Sequence, residues 1–254
     1  ALAAIAVLAL LPATRGGGSF GAAASFAVGS SPTSVAIGNL NGDSFADLAV
    51  ANFQSGNVSV LLGNGAGSFG PATNFAAGTF PRAVAIGNLN GDGFADRVFT
   101  RAGSDISVLI GDGGGSFGSA TFFTVGSSPT SVAIGNLNGD GFADLAVSNA
   151  GTDNVSVLLG NGAGSFGVAT DFGVGEDPRQ VAIGNLNGDG FADLAVANNI
   201  SGYVSVLNGN GTGSFLAAGN LGVGSNPLSV AIGDLNRDGF ADLASANFTP
   251  NSVS

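Results

Sequence analysis

Residues 136–144 read NLNGDGFAD, and near-copies stand at four other places: NLNGDSFAD at Asn39–Asp47, NLNGDGFAD at Asn88–Asp96 and Asn185–Asp193, and DLNRDGFAD at Asp234–Asp242. Oxygen-bearing side chains fill the first, third, fifth and ninth places of each loop. Together with the backbone carbonyl of the seventh residue, such a set can wrap one hard cation in a tight turn. All-oxygen ligation favours Ca²⁺, because Mg²⁺ keeps more of its water. In the first copy the candidate ligands are Asn39, Asn41, Asp43, the Phe45 carbonyl and Asp47. The second copy offers Asn88, Asn90, Asp92, Phe94 and Asp96; the third, Asn136, Asn138, Asp140, Phe142 and Asp144. The fourth offers Asn185, Asn187, Asp189, Phe191 and Asp193; the fifth, Asp234, Asn236, Asp238, Phe240 and Asp242. The expectation is about one Ca²⁺ per loop, five in all. With two carboxylates in four loops and three in the last, affinity should be modest, about 10⁻⁴ to 10⁻³ M as in extracellular modules.

Gly at the fourth or sixth place supplies the positive φ that such a turn requires. An EF-hand would need Glu at the twelfth place, where Val50, Phe99, Val147, Val196 and Ser245 stand instead. The alternative is a set of metal-free Asx-turns, since Asn and Asp favour turns in any case. Turn chemistry alone does not explain a ninth-place Asp in all five copies.

Composition narrows the remaining classes. The 254-residue chain is 44% hydrophobic and only 9% charged, with 45 Gly, which favours short strands and turns over long helices. Its net charge of −11, with six Arg and no Lys, argues against a nucleic-acid backbone as partner. Of 17 acidic residues, 11 lie inside the five loops, so the acidity is concentrated where a cation would sit. The absence of Cys and His removes disulfides, thiol nucleophiles, imidazole bases and the commonest transition-metal ligand.

The loops recur because the chain does. The Val that opens each VAIG segment stands at 35, 84, 132, 181 and 230, a spacing of 48–49 residues. A fixed period in that range marks an array of one supersecondary unit. One unit, Ser31–Gly78, holds four strand-like runs, SVAIG, DLAVA, NVSVLL and ATNFAAG, separated by Asn, Asp, Gly and Ser clusters. Along the strands large and small residues alternate: Val35 and Ile37 share one face, Ala36 and Gly38 the other. Neither face is charged, so both should be covered, with the bulky face of one sheet on the small-residue face of the next. The pattern predicts an all-β protein, a β-propeller of four-stranded antiparallel blades with about five repeats. The nine-residue loop joins the first two strands of each blade, and the Gly-rich GNGAGSFG segments read as hairpin turns. Phe recurs at fixed places (Phe45, Phe94, Phe142, Phe191, Phe240; Phe20, Phe69, Phe117, Phe166, Phe215) and reads as core.

The N-terminal run ALAAIAVLALL is too short to span a bilayer. Residues 1–15 read either as the remnant of a secretory signal or, through the likeness of Val7–Leu11 (VLALL) to Val58–Leu62 (VSVLL), as a closing strand. The repeat propeller occupies 16–254. It ends at NSVS, where another VSVLLGNG would begin, which suggests a fragment of a longer propeller, with a closed five-bladed ring as the alternative.

These loops, the SFG triplets (Ser19–Gly21, Ser68–Gly70, Ser116–Gly118, Ser165–Gly167) and the G-x-x-P segments such as Gly29–Pro32 and Gly126–Pro129 resemble the FG-GAP repeats of integrin α-subunit propellers and their bacterial, VCBS-type relatives. The resemblance covers nearly all of Gly16–Ser254. It implies a calcium-binding, secreted or cell-surface, seven-bladed propeller used for adhesion or ligand recognition. The chain departs from the family where four loops open with Asn rather than Asp. It departs again at Arg97-Val98-Phe99-Thr100, which replaces LAVA or LAVS, and at Leu216, which replaces a triplet Gly.

Catalysis fits poorly. Carboxylate pairs can act as acid and base, but here they recur in every repeat, and no Ser-His, Cys-His or Lys chemistry is available. The expectation is a non-enzymatic recognition module for a protein or glycan, with no nucleic acid and no membrane span. Positions that vary on the constant scaffold are the candidate contacts: Arg82, Arg179 and Tyr203. The alternatives are a lectin-like propeller, for which exposed aromatic faces would be wanted, and an accessory domain of a secreted enzyme.

Overall fold

A computed structural model describes residues 4–7, 22–249 and 251–254. The described residues form strands and turns without a helix, so none is long and apolar enough to cross a membrane as one. Contacts divide the chain into two compact units. The first reaches Asn88 and adds Asp92–Phe99 and Ser107–Thr121; the second comprises Leu89–Gly91, Thr100–Ile106 and Phe122–Ser254.

Strand β1 (Ala4–Val7) pairs antiparallel with β2 (Ala24–Ala27). Of the expected strand Val7–Leu11, only Val7 falls in β1; the remainder, with Phe20 and the triplet Ser19–Gly21, lies outside the described residues. The first full repeat is an antiparallel sheet of β3 (Pro32–Gly38), β4 (Asp47–Asn52), β5 (Asn57–Leu61) and β6 (Thr73–Ala76), in that order. The second contains β7 (Pro81–Gly87), β8 (Asp96–Arg101), β9 (Asp105–Leu109) and β10 (Thr121–Thr124). The third contains β11 (Pro129–Gly135), β12 (Asp144–Asn149), β13 (Asn154–Leu158) and β14 (Thr170–Gly173). The fourth contains β15 (Pro178–Gly184), β16 (Asp193–Asn198), β17 (Tyr203–Gly209) and β18 (Phe215–Gly222). A three-stranded sheet of β19 (Pro227–Gly233), β20 (Asp242–Asn247) and β21 (Ser252–Val253) follows. The four runs expected from the sequence are the four strands of the first four repeats.

Each first strand starts with Pro, and β3, β11, β15 and β19 then shift register, for example between Pro32 and Ser34 and between Pro178 and Gln180. The residue in the shift is a bulge left out of the ladder; where it is Thr, its hydroxyl donates to the start of the next repeat's first strand, Thr33 to Arg82 O and Thr130 to Pro178 O, both at 2.7 Å. This is the variable place after the Pro that holds Thr33, Thr130, Arg179 and Leu228.

The second strands β4, β12 and β16 are buried along their whole length, as a strand covered on both faces must be. Cover comes from the neighbouring sheet in the alternation of large and small residues. A Cβ on Gly38 would lie 3.0 Å from the Ile86 side chain; one on Gly135 would lie 3.1 Å from Ile183, and one on Gly184 2.9 Å from Ile232. Each bulky Ile thus fills the space that the previous repeat leaves by having no side chain. In the first unit the resulting core joins Leu40, Ala49, Val58 and Val60 to Val84, Phe99 and Leu109; in the second, Leu137, Val155 and Val157 meet Val181, Leu194, Val196 and Leu207. At the rim of these cores Phe pairs form edge-on contacts, Phe75 with Phe117 and Phe172 with Phe215, at centroid distances of 5.3 and 5.4 Å.

Candidate metal centre

The NLNGDGFAD loops connect the first and second strands of each repeat, and their backbone turns twice into the left-handed region. In the third loop Gly139 and Gly141 have φ of 77° and 88°. The first loop makes the same turn with Ser44 at 71° in the sixth place, and the last with Arg237 at 67° in the fourth. The loop geometry therefore holds even where a side chain must bear strain.

Side-chain oxygens hold this turn from inside. In the third loop Asn136 Oδ1 accepts from Gly139 N at 2.8 Å, Asn138 Oδ1 from Asp140 N at 3.0 Å, and Asp140 Oδ1 from Phe142 N at 2.8 Å. Asn138 Nδ2 donates to Asp140 Oδ2 at 2.8 Å. The first and fourth loops repeat all four bonds within 0.2 Å. In the second, Phe94 N donates to Asp92 Oδ1 at 2.8 Å. The fifth differs at its opening residue: Asp234 takes Arg237 N, Asp238 N and Gly239 N on its two oxygens. Among the described residues no three acidic side chains converge as a metal cluster, and this includes Asp234, Asp238 and Asp242.

The ninth-place Asp is a different kind of residue. Asp47, Asp96, Asp144 and Asp193 are completely buried. Asp144 accepts from Leu137 N on Oδ2 and from Gly160 N on Oδ1, both at 2.7 Å, so one carboxylate ties its own loop to the turn after β13. Asp47 does the same with Leu40 N and Gly63 N, and Asp193 with Leu186 N and Gly209 N. Burial pushes the Asp144 carboxyl above the ordinary carboxylate range and the neighbouring Asp140 charge pushes the same way, against the downward pull of the backbone N–H groups. A cation beside that pair would remove both pressures.

The residues fit such an ion. Amide and carboxylate oxygens carry two lone pairs, and each bond within the loop uses one. Asn136, Asn138, Asp140, Asp144 and the Phe142 carbonyl, whose peptide is fixed by Asp140, form a hard, all-oxygen donor set with two negative charges. The other loops present the same residue types.

The loop Phe residues correct the sequence reading. Phe45, Phe94, Phe142 and Phe191 are 43–47% exposed and Phe240 68%, so they are not core. The first four rings lie over the Gly-rich turns: a Cβ on Gly162 would come within 2.5 Å of the Phe142 ring, and one on Gly211 within 2.5 Å of Phe191. The expected hairpin turns serve as seats for these rings.

At the other end of the strands lies a polar chain that sequence reasoning missed. Asn149 Nδ2 donates to Ser156 Oγ at 2.9 Å, and Ser156 donates to Asp171 at 2.6 Å. Asn52, Ser59 and Asn74, and Asn198, Ser205 and Asn220, form equivalent chains. A Cβ on Gly126 would lie 2.7 Å from the Asn149 side chain, which accounts for Gly at the head of G-x-x-P. The available signal was the Asn that closes four of the five second strands, at Asn52, Asn149, Asn198 and Asn247.

The expected contact residues separate. Arg179 is paired with Asp177, and Tyr203 covers Gly175. Arg82 lies over the Phe53 ring, 5.8 Å from its centroid, and Phe53 in turn stacks on the 46%-exposed Phe80 at 5.0 Å.

The family model of the FG-GAP-like repeat matches residues 39–99, 88–147, 136–196 and 185–245. No curated protein matches the sequence. Among solved structures, the periplasmic gluconolactonase of Pseudomonas aeruginosa superposes with a TM-score of 0.65 at 16% identity, over 88% of this chain and 68% of that one. A functionally unknown protein from Desulfotomaculum acetoxidans gives 0.64 at 14% identity over 91% and 70%. BBS1N, in complex with ARL6DN, gives 0.62 at 16% identity over 96% and 72%. At these identities the likeness establishes the β-propeller type of fold and no activity.

Proposed function

The chain belongs to the FG-GAP-like repeat family, and on that premise we propose that it is a calcium-stabilised, extracellular β-propeller that recognises a macromolecular ligand and has no catalytic role of its own. The observation that carries the reading is the repeated loop: the same oxygens, hydrogen bonds and buried ninth-place Asp stand at matching points of successive repeats. Bound calcium would supply positive charge between paired carboxylates, and five divalent ions would bring the net charge of −11 close to neutrality. The chain's own residues do the rest. The Asx bonds pre-shape the turn, and the ninth Asp transmits its order to the neighbouring hairpin.

Recognition is assigned to the opposite end of the strands. There the bulged residue after each Pro and the loop after each second strand differ between repeats, while the scaffold does not. Phe53, Phe80 and Arg82 form an amphipathic patch in this region, with the aromatic and Arg character of interface anchors. Nothing in the loops favours catalysis, because each carboxylate pair has the same structural partners in repeat after repeat.

The test is a calcium titration of chelator-stripped protein followed by its melting temperature. Stability should rise as RT ln(1 + [Ca²⁺]/Kd) per site. A flat response up to ~10 mM calcium, well above the expected Kd, overturns the metal reading and leaves metal-free Asx-turns.

A further inference from the structure

Arg97 stands where the other repeats have Leu48, Leu145, Leu194 and Leu243, directly after the ninth-place Asp. It is fully buried, and none of its guanidinium nitrogens has a hydrogen-bond partner. The guanidinium carbon lies 3.0 Å from the Phe117 ring centroid and 5.4 Å from that of Phe75, at the edge-on pair joining the first two repeats. In the corresponding pair of repeats Leu194 packs in the same core as Leu137, the second residue of the preceding loop. The same strand position therefore sets Arg97 behind the first loop, whose Leu40 lies in the core that Phe75 and Phe117 line. The charge of Asp47, that loop's ninth-place ligand, favours the protonated Arg97 guanidinium against the larger, opposite effect of burial.

We infer that Arg97 is an internal counter-cation for the first loop and makes its metal site the weakest among those of the repeats. The inference rests on the metal-binding reading of the loops. A fixed positive charge in an apolar interface, unshielded by hydrogen bonds, repels a divalent ion held by Asp47 and already offsets part of the negative charge that would attract it. The third and fourth loops face Leu194 and Leu243 at the same position and carry no such handicap. Sites with the same motif thus fill at different calcium concentrations, the first loop last, by about tenfold or more.

The experiment is isothermal titration calorimetry of calcium into the stripped chain, as wild type, Arg97→Leu and Arg97→Met, each with and without Asp43→Asn. Arg97→Leu restores the residue of the other repeats; Arg97→Met keeps the length should Leu fold poorly. The neutral variants should gain one site in the tighter class, and Asp43→Asn should abolish that gain, while in wild type Asp43→Asn should change the tighter class little. Coincident isotherms for wild type and both neutral variants, with calcium still bound elsewhere, overturn this inference alone. Absence of binding in every protein overturns the metal reading and this inference with it.

Discussion

The junction between the first and second repeats and that between the third and fourth are built on one plan with different contents. In both, an Ile fills the space beside a Gly and an edge-on Phe pair closes the rim. In the later junction Leu194 is fully buried among Leu137, Val155 and Val157. In the earlier one Arg97 takes that place and stacks on Phe117. An aromatic face gives back part of the hydration a guanidinium loses, but it supplies no acceptor for five N–H donors. The difference shows which part of the plan is indispensable. The ninth-place Asp and the Gly–Ile contact are kept in both, whereas the residue after the Asp need only fill space.

The sharpest way to break this comparison is to move the charge. Leu194→Arg would set a guanidinium between Phe172 and Phe215, and it should cost about 3–5 kcal/mol in urea denaturation, as an unpaired buried charge does. A cost below about 1 kcal/mol would mean that the aromatic pair alone suffices and that the earlier junction is not special.

Next comes the element that both junctions share. Asp144→Ala removes two charge-assisted acceptors and leaves Leu137 N and Gly160 N unpaired in the interior. A loss of about 2–3 kcal/mol is expected, reduced by relief of the buried charge. Because burial raises the folded-state pKa of Asp144, its unfavourable burial is fully felt at pH above that raised value and fades as pH falls through it. The gap between metal-free wild type and Asp144→Ala should accordingly widen, not narrow, on mild acidification. A gap that shrinks there would contradict the assigned direction.

Arg97→Leu tests the converse and should stabilise the chain by about 1–3 kcal/mol at pH 7. Burial lowers the Arg97 pKa from the ordinary guanidinium value to about 9, with Asp47 opposing. Between those values the unfolded chain binds a proton that the folded one does not, so wild-type stability should rise with pH there relative to Arg97→Leu. The advantage of the variant should be full below pH 9 and shrink above it. Denaturation midpoints for both proteins from pH 7 to 10.5 read this directly, and parallel midpoints would refute the account.

Much of this was legible beforehand for identifiable reasons. A 48–49-residue period and period-two alternation of Ile with Gly admit few architectures, and the strands lie where that pattern put them. The Asx-turn bonds of the loops were legible because each oxygen sits at a fixed offset from its partner N–H, so neighbouring residues alone determine the bond. What escaped depends on contacts distant in sequence. Phe142 has the spacing of a core residue, but its partner is the bare turn at Gly162 and its outer face meets water. Arg97 was visible as a departure from LAVA, yet its stacking on Phe117 exists only in three dimensions. The Asn149–Ser156–Asp171 chain joins three strands, and none of them alone suggests it.

The smallest expected effect compares the two loops themselves. Ser44 holds φ at 71° where the third loop has Gly141 at 88°. A side chain in the left-handed region costs about 1–2 kcal/mol, while glycine brings a larger loss of chain entropy on folding, about 0.5–1 kcal/mol. Ser44→Gly should therefore gain only about 0.5–1 kcal/mol, and Gly141→Ser should lose about as much. The strain belongs to the backbone whether or not a cation is present, because the Asn39, Asn41 and Asp43 bonds fix the same turn. The gain should thus appear equally in chelator and in saturating calcium. A gain seen only with calcium would mean that the metal, and not the Asx bonds, imposes the left-handed turn on Ser44. The loop would then fold around its ion instead of waiting for it.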